Sequence, residues 1–564
     1  MSAKQSILAQ YGYDVAVALS QASINATMKE YLFESQLPVV GMYCNKDYDG
    51  NPVEVDYATL MTQTNNTDPL KVNSWDSSKP SNKDIDNLSN SNFLCAFKAE
   101  IGIPPCFDPG NIPDVINLIP GNAGSVTFNL MCYIFTIVYA KFDGKKMTSY
   151  LNQFQPADGA WIFSSNVPLR NVNDATNLPS LVQQQVDSIT GDFSVQKLIV
   201  DLGSANASYE PAPEIEGVSK GSPVYNALNL FIRAYFNSLK SKGQPVLNYS
   251  ITQNKTDSST LKLTDIAMEV NAFVDAGGHP IATPTKEQQD LITLNYLCAA
   301  NGNALSPPQQ LSWNWLDNTT DERDFDGVIA INRDTLMNYF QNQLYSYIFK
   351  NSWSLNIKGN GPYDWTLDGT LKTEYQPWEL TYADVGTYEF TYSREDYKED
   401  LYGWNGALGD FHARIIQELS LRFTDNKIII AQHLVILMQL NTAMQYAEGR
   451  VLDRALTDIY TLKVDENGNL KVELNKPGTP VDNSETPSVN SWLNASSHIN
   501  DVVARVKKWI DDSVKPNFTN IPLSLMTNFV FPAGRAVVFK NVFFSDYLDL
   551  VAHITYADPS TPNS

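Results

Sequence analysis

YGYDVAVALSQASINATMKEYLFES, from Tyr11 to Ser35, is the most strongly patterned stretch of the chain. At helical spacing Val17, Ile24, Met28 and Tyr31 fall on one stripe, and Val15, Leu19, Ala22 and Ala26 widen it. A helix apolar on two stripes is enclosed over much of its circumference, so the spacing predicts a long helix here with other elements packed around it. Ser20, Gln21, Asn25 and Lys29 interrupt the pattern, and Met1–Ala9 has one lysine and no apolar core. Neither segment reads as a secretory signal.

Outward from this helix the texture changes at Leu37 to short apolar runs separated by Asn, Asp, Gly and Pro, the spacing of antiparallel strands and turns. The longest apolar run, LMCYIFTIVYA (Leu130–Ala140), falls short of the roughly 20 residues of a spanning helix and reads as a buried strand. Asp68–Asn92 is polar and turn-rich, a long loop by composition. A second helix is expected after Ser222 as cap and Pro223 at its first position, with Val224, Leu228, Phe231, Tyr235 and Leu239 on its apolar face. FDGVIAINRDTLMNYFQNQLYSYIF sets a strand against a third helix, with Asp334 as the expected cap and Leu336, Phe340, Leu344 and Tyr347 inward. KIIIAQHLVILMQL reads as a strand, DENGN (Asp465–Asn469) as a hairpin turn before LKVEL, and Val502, Val506, Trp509 and Ile510 as the inner face of a last helix. The sum is an α+β chain dominated by antiparallel sheet, divided by the connection at Leu198–Ser222 into helix-plus-sheet regions 1–210 and 211–564. Helix-then-strands recurs near residues 13, 223 and 335 with no residue-level repeat.

Composition sets outer limits. In 564 residues, 43% are hydrophobic, enough for a large core, which excludes wholesale disorder. Forty Lys plus Arg against 62 Asp plus Glu give a net charge of −22, which repels nucleic-acid phosphates and anionic membranes and makes neither a default partner. The five cysteines, Cys44, Cys95, Cys106, Cys132 and Cys298, are scattered and form no CxxC pair, as expected of free thiols in a reducing compartment. A soluble protein made in the cytoplasm fits these features, with release by a non-classical route left open.

Catalytic and metal motifs are sparse. His279, His412, His433, His498 and His553 form no HxH, HxxxH or HExxH spacing, so no metal site is expected. No GxSxG elbow and no GxxxxGK[ST] loop occurs; GNAGS (Gly121–Ser125) reads as a turn into the Val126 strand, and KGNGP (Lys358–Pro362) is a glycine pair without the following helix that a phosphate site needs. The acidic groups around Gly50, before Gly327 and at Asp465–Asn469 lack the distal Glu of a calcium loop. Trp313 and Trp315, and Tyr388, Phe390 and Tyr392, alternate as strand residues sharing a face do, and suit either a core or an apolar groove. No catalytic residue, metal or cofactor is expected.

Tyr11-Gly12-Tyr13-Asp14 before the first helix, FDGVIAINRDTLMNYF (Phe325–Phe340) and the closing FVFPAGRAVVFKNVFFSDYLDLVAHITYA (Phe529–Ala557) resemble the OrfX-type accessory proteins of clostridial neurotoxin gene clusters. In that family Trp commonly stands where this chain has Tyr13. The resemblance implies the tubular lipid-binding (TULIP) fold, long helices wrapped by highly curved antiparallel sheets around an apolar channel. It also implies a non-catalytic protein that holds a lipid or other apolar small molecule within a toxin-associated complex. Val17, Ile24, Met28 and Tyr31 are the ligand-facing residues in that picture, and Ala16, Ala18, Ala22 and Ala26 leave room for a sheet or an acyl chain. Two other readings stay open: a scaffold subunit whose tube is filled by its own side chains, and an enzyme whose groups meet only in three dimensions.

Overall fold

VAVALS (Val15–Ser20) alternates large and small side chains with period two, and in the computed structural model it is a strand. The structure describes residues 2–34, 39–173, 183, 193–200, 218–241, 246–253, 261–317, 325–351, 353–361, 364–371, 379–384, 387–404, 407–442, 445–466, 468, 470–491, 496–513 and 537–556. The long helix expected over Tyr11–Ser35 is thus a strand followed by a 14-residue helix, Gln21–Glu34. β-Branched Val at every second position favours the pleated backbone, and period two outweighs a helical stripe built partly on the same residues.

The strand is the third of six in a fully antiparallel sheet, in the order Leu263–Asn271, Thr293–Ala300, Val15–Ser20, Gly327–Ile331, Leu550–Tyr556 and Val537–Phe544. Every residue of Val15–Ser20, Thr293–Ala300 and Gly327–Ile331 is buried, so the centre of this sheet is covered on both faces. Val15, Val17, Leu19, Tyr296, Ile329 and Ile554 enter the largest core. Ala16, Ala18, Leu297, Val328, Ala330 and Val551 enter a second layer beneath Leu8, Tyr13, Trp313 and Trp315. The strands come so close that a Cβ on Gly327 would lie 2.2 Å from the Ala18 carbonyl oxygen.

The Gln21–Glu34 helix continues directly from this strand, with Ser20 Oγ accepting from Ser23 N–H at 3.1 Å. Its apolar row, Ile24, Met28 and Leu32, is buried in the largest core. The adjoining row, Gln21, Asn25 and Lys29, meets the chain at Ile112–Leu118, where Ile116–Ile119 is the edge strand of a five-stranded sheet. Asn25 Oδ1 accepts from Val115 and Ile116 N–H, both at 2.8 Å, while its amide donates to the Ile116 carbonyl at 2.8 Å. Gln21 Oε1 accepts from Leu118 N–H at 2.8 Å and Lys29 Nζ donates to the Ile112 carbonyl at 2.8 Å. These side chains serve as the next strand of the sheet, satisfying an edge that would otherwise stay open.

The remaining architecture is β-dominated. A six-stranded sheet runs Pro52–Val55, Val39–Lys46, Phe93–Ile101, Cys132–Asp143, Lys146–Phe154 and Trp75–Asp76. A further sheet contains the consecutive long strands Thr387–Trp404, Ala407–Thr424, Lys427–Thr442 and Gln445–Val464. Its last turn forms at Asp465, whose carbonyl accepts from Gly468 N–H at 2.9 Å, with Gly468 at φ 76°. In the helix Pro223–Ser241, Ser222 Oγ accepts from Tyr225 N–H at 3.2 Å, and Val224, Leu228, Phe231 and Tyr235 are buried. The Arg333–Asn351 helix is capped by Asn332, whose Oδ1 accepts from Asp334 N–H at 2.7 Å; Asp334 therefore sits in the first turn rather than at the cap. Val502, Val506 and Ile510 are buried in the Ser496–Ser513 helix. The expected Asp68–Asn92 loop contains a helix, Lys83–Asn90, capped by Asn82 and anchored by buried Ile85 and Leu88. Two apolar residues one turn apart suffice there because the N-cap and the acidic first turn supply the rest. Leu239, Tyr347, Tyr388 and Phe390 carry side chains outside the described residues.

Replacing Asn25 by Leu keeps volume but strands two N–H groups and one carbonyl at the sheet edge, each costing about 1–3 kcal/mol when buried. Urea unfolding is expected to show a loss of at least about 3 kcal/mol for Asn25→Leu, against less than about 1.5 kcal/mol for Met28→Leu on the adjoining row.

Candidate functional site

The apolar interior is the candidate site. One continuous core joins Ile24, Met28 and Leu32 of the opening helix to Phe231 and Tyr235 of the second helix, to the sheet residues Val17, Tyr296 and Ile329, and on to Phe340 and Phe423. Each end is aromatic. Phe231 lies 5.4 Å from Phe97 and 5.3 Å from Phe135, with Phe135 edge-on to Trp161 and Phe163. At the other end Phe423 stacks on Phe544 at 4.7 Å and meets Phe340 edge-on at 5.9 Å. Tyr235 Oη leaves the apolar layer by donating to the Met131 carbonyl at 2.9 Å.

The four residues expected to face a ligand divide by element. Val17 is on the strand, opposite Tyr296 and Ile329. Ile24 and Met28 are on the helix and buried in the same core. The Tyr31 side chain lies outside the described residues. Trp313 and Trp315 lie in the irregular Leu311–Leu316 segment, edge-on to each other at 5.4 Å in the layer on the opposite face of the central sheet.

Tyr11-Gly12-Tyr13-Asp14 is a clasp beside that layer. Tyr11 packs edge-on to Trp313 at 5.4 Å, and Tyr13 Oη donates to the Pro307 carbonyl at 2.7 Å. Gly12, at φ 74°, leaves room for Ser306, whose Oγ a Cβ would meet at 2.2 Å. Asp14 accepts from Thr335 Oγ1 at 2.5 Å, Ala300 N–H at 2.7 Å and Asn303 Nδ2 at 2.9 Å, tying the start of the Arg333–Asn351 helix to the end of a neighbouring strand. Asp549 does the same work at the chain ends, accepting from Leu8 N–H at 2.7 Å and Ser6 Oγ at 2.8 Å.

Burial shapes the titratable groups. Cys44, Cys95, Cys132 and Cys298 are buried and free, Cys106 is partly exposed, and burial pushes the thiols of Cys95, Cys132 and Cys298 up, away from nucleophilic thiolate chemistry. The Asp47 carboxylate is engaged by Asn51 N–H at 2.7 Å, an ordinary turn that holds its pKa below the usual carboxylate range. Burial raises the Asp549 carboxyl to about 7 and lowers His553, stacked on Phe325 at 4.4 Å, to about 4. Above the usual carboxylate value of 3.8 the unfolded chain loses the Asp549 proton that the folded chain keeps, so this group reduces stability as pH rises, until about 7. Below the usual value of 6.5 the unfolded chain protonates His553 and the folded chain resists, so this group reduces stability as pH falls, until about 4. The two slopes oppose each other across one window.

His553→Phe keeps the stack on Phe325 and removes one of these slopes. Its stability relative to the parent chain is therefore expected to rise as pH is lowered from about 7 to about 5 in parallel urea titrations, and a constant difference would contradict a neutral buried imidazole.

No family model matches the chain, and no curated protein matches it. Among the described residues no helix is long and apolar enough to cross a membrane. Among solved structures, the crystal structure of a lipopolysaccharide binding protein is similar over 97% of this chain and 99% of that one, at 10% identity and a TM-score of 0.22, a likeness too low to carry an argument.

Proposed function

We propose that this chain is a non-catalytic binding protein that holds a lipid or other apolar small molecule in the interior between its helices and sheets. The supporting observation is continuity: a single apolar core extends from Phe97, Phe135 and Phe231 past Val17, Tyr296 and Ile329 to Phe340, Phe423 and Phe544. A guest of matching length gains about 0.8 kcal/mol for each methylene it buries, with no need of ionic contacts. In this reading residues 1–210 and 211–564 each contribute a helix-and-sheet wall, the sheets curve around the helices, and Val17, Ile24, Met28 and Tyr31 line the bound chain. Phe231 packs between Phe97 and Phe135, and in this reading the guest lies on the Met28 side of that aromatic cluster. The OrfX-type resemblance of Tyr11–Asp14, Phe325–Phe340 and Phe529–Ala557 extends the reading to a toxin-associated complex.

Native mass spectrometry of the purified full chain is expected to show an apolar adduct that organic extraction removes, and the stripped protein is expected to take up radiolabelled palmitate. Met28→Trp, placed to fill the interior, is expected to reduce that uptake at least about tenfold, the equivalent of about 1.4 kcal/mol, with an unchanged circular dichroism spectrum. A chain that carries no adduct and takes up no palmitate would overturn the assignment.

A further inference from the structure

We propose that the outer face of the long-stranded sheet carries a divalent transition-metal site formed by Glu399, Asp410 and His412, with Tyr397 as a positioning residue. Cross-strand register creates the site. Glu399 pairs directly with His412, and Leu401 with Asp410, so the period-two pleat turns all three ligand residues to one face. Their donor atoms lie within 4.8 Å of one another. His412 Nε2 is 3.0 Å from Asp410 Oδ2 and 4.0 Å from Glu399 Oε1. Donors each about 2.0–2.1 Å from a tetrahedral zinc ion stand about 3.3 Å apart, so only the half-exposed Glu399 side chain must move inward.

The second ring nitrogen carries the distinction from an ordinary ion pair. His412 Nδ1 is hydrogen-bonded to Tyr397 Oη, on the same face two residues before Glu399. That contact orients the imidazole so that Nε2 points at the two carboxylates, the arrangement an outer hydrogen bond gives a metal-binding histidine. Asp410 Oδ1 is buried and accepts no hydrogen bond from any described residue. The one arginine on this part of the face, Arg414, is engaged by Glu395 at 2.7 Å. Among the described residues Glu399 and Asp410 have no Lys or Arg partner, and both lie beside the His412 ring.

His433, on the next strand, is the internal contrast. Both its nitrogens face carboxylates, Glu418 at 3.1 Å and Asp453 at 2.9 Å, and Arg450 occupies the other oxygen of Asp453 at 2.8 Å. Burial alone would lower its pKa, but the bonds to Asp453 and Glu418 outweigh it and hold the ring toward its charged form. His433 is thus the centre of an ion-pair network that includes an arginine, whereas His412 meets Asp410 and Glu399 through Nε2 alone, with Tyr397 on its other nitrogen. One nitrogen and several oxygen donors select zinc, cobalt, nickel or manganese over calcium and magnesium.

The full chain, stripped with EDTA and dialysed, is expected to bind one equivalent of Zn2+ by calorimetry and to develop the visible absorption of low-coordinate Co2+. His412→Ala and Asp410→Asn are expected to weaken Zn2+ binding by at least about 100-fold, and Tyr397→Phe by about 10-fold with the cobalt spectrum altered, as loss of an outer partner does. His433→Ala is expected to bind as the parent chain does. Circular dichroism of each variant separates loss of the site from loss of the fold. Absence of saturable binding, or binding by a folded His412→Ala equal to the parent's, would overturn the proposal.

Discussion

The edge of a β-sheet presents backbone N–H and C=O groups that must be met by something, and in this protein a row of side chains on a helix meets them. Gln21, Asn25 and Lys29 bond to backbone groups from Ile112 to Leu118 in place of a neighbouring strand. That contact fixes the rotation of the opening helix, which in turn decides that Ile24, Met28 and Leu32 enter the core. Because the helix continues directly from Val15–Ser20, the same contact ties the five-stranded sheet to the central one. The apolar interior is thus held at this point by a polar seam whose bonds are too specific to allow sliding, which apolar packing alone would permit.

The β-dominated α+β class, the antiparallel pairing and the faces of several helices were legible because each rests on local periodicity. Val224, Leu228, Phe231 and Tyr235 repeat at helical spacing and are buried, and so are Leu336, Phe340 and Leu344. VAVALS was misread for a physical reason: a strand covered on both faces shows no polar alternation, and it runs without a turn into a helix, so two periods merge into one apolar stretch. The polar residues Gln21, Asn25 and Lys29 looked like interruptions, although their spacing of four is the signature of a row with a partner of its own. Of the four expected ligand-facing residues, the described side chains of Val17, Ile24 and Met28 share one core even though Val17 belongs to a different element. The meeting of Glu399 with His412 was not legible at all, since it depends on the register of two long strands and not on any local spacing.

Two aspartates join segments distant in sequence. Asp14 draws together Ala300, Asn303 and Thr335, and Asp549 draws together Ser6, Leu8 and Arg333. Each carboxylate accepts several bonds, the condition under which a buried acid is tolerable. Tyr11-Gly12-Tyr13-Asp14 is part of this system, and its residues have structural duties on the face of the sheet away from the main core.

The bond from Leu8 N–H to Asp549 spans 541 residues. A ribosome that has just released the first strand must therefore make nearly all of the remaining chain before Leu550–Tyr556 exists to complete the central sheet. Until Thr293–Ala300 and Gly327–Ile331 are made, VAVAL presents two apolar faces and two open edges, a template for misassembly between nascent chains, and from then on the open edge is that of Gly327–Ile331. Vectorial synthesis thus places the greatest demand for chaperone shielding on the earliest residues to emerge, and a truncated product that ends before Asp549 leaves the Gly327–Ile331 edge without its partner strand.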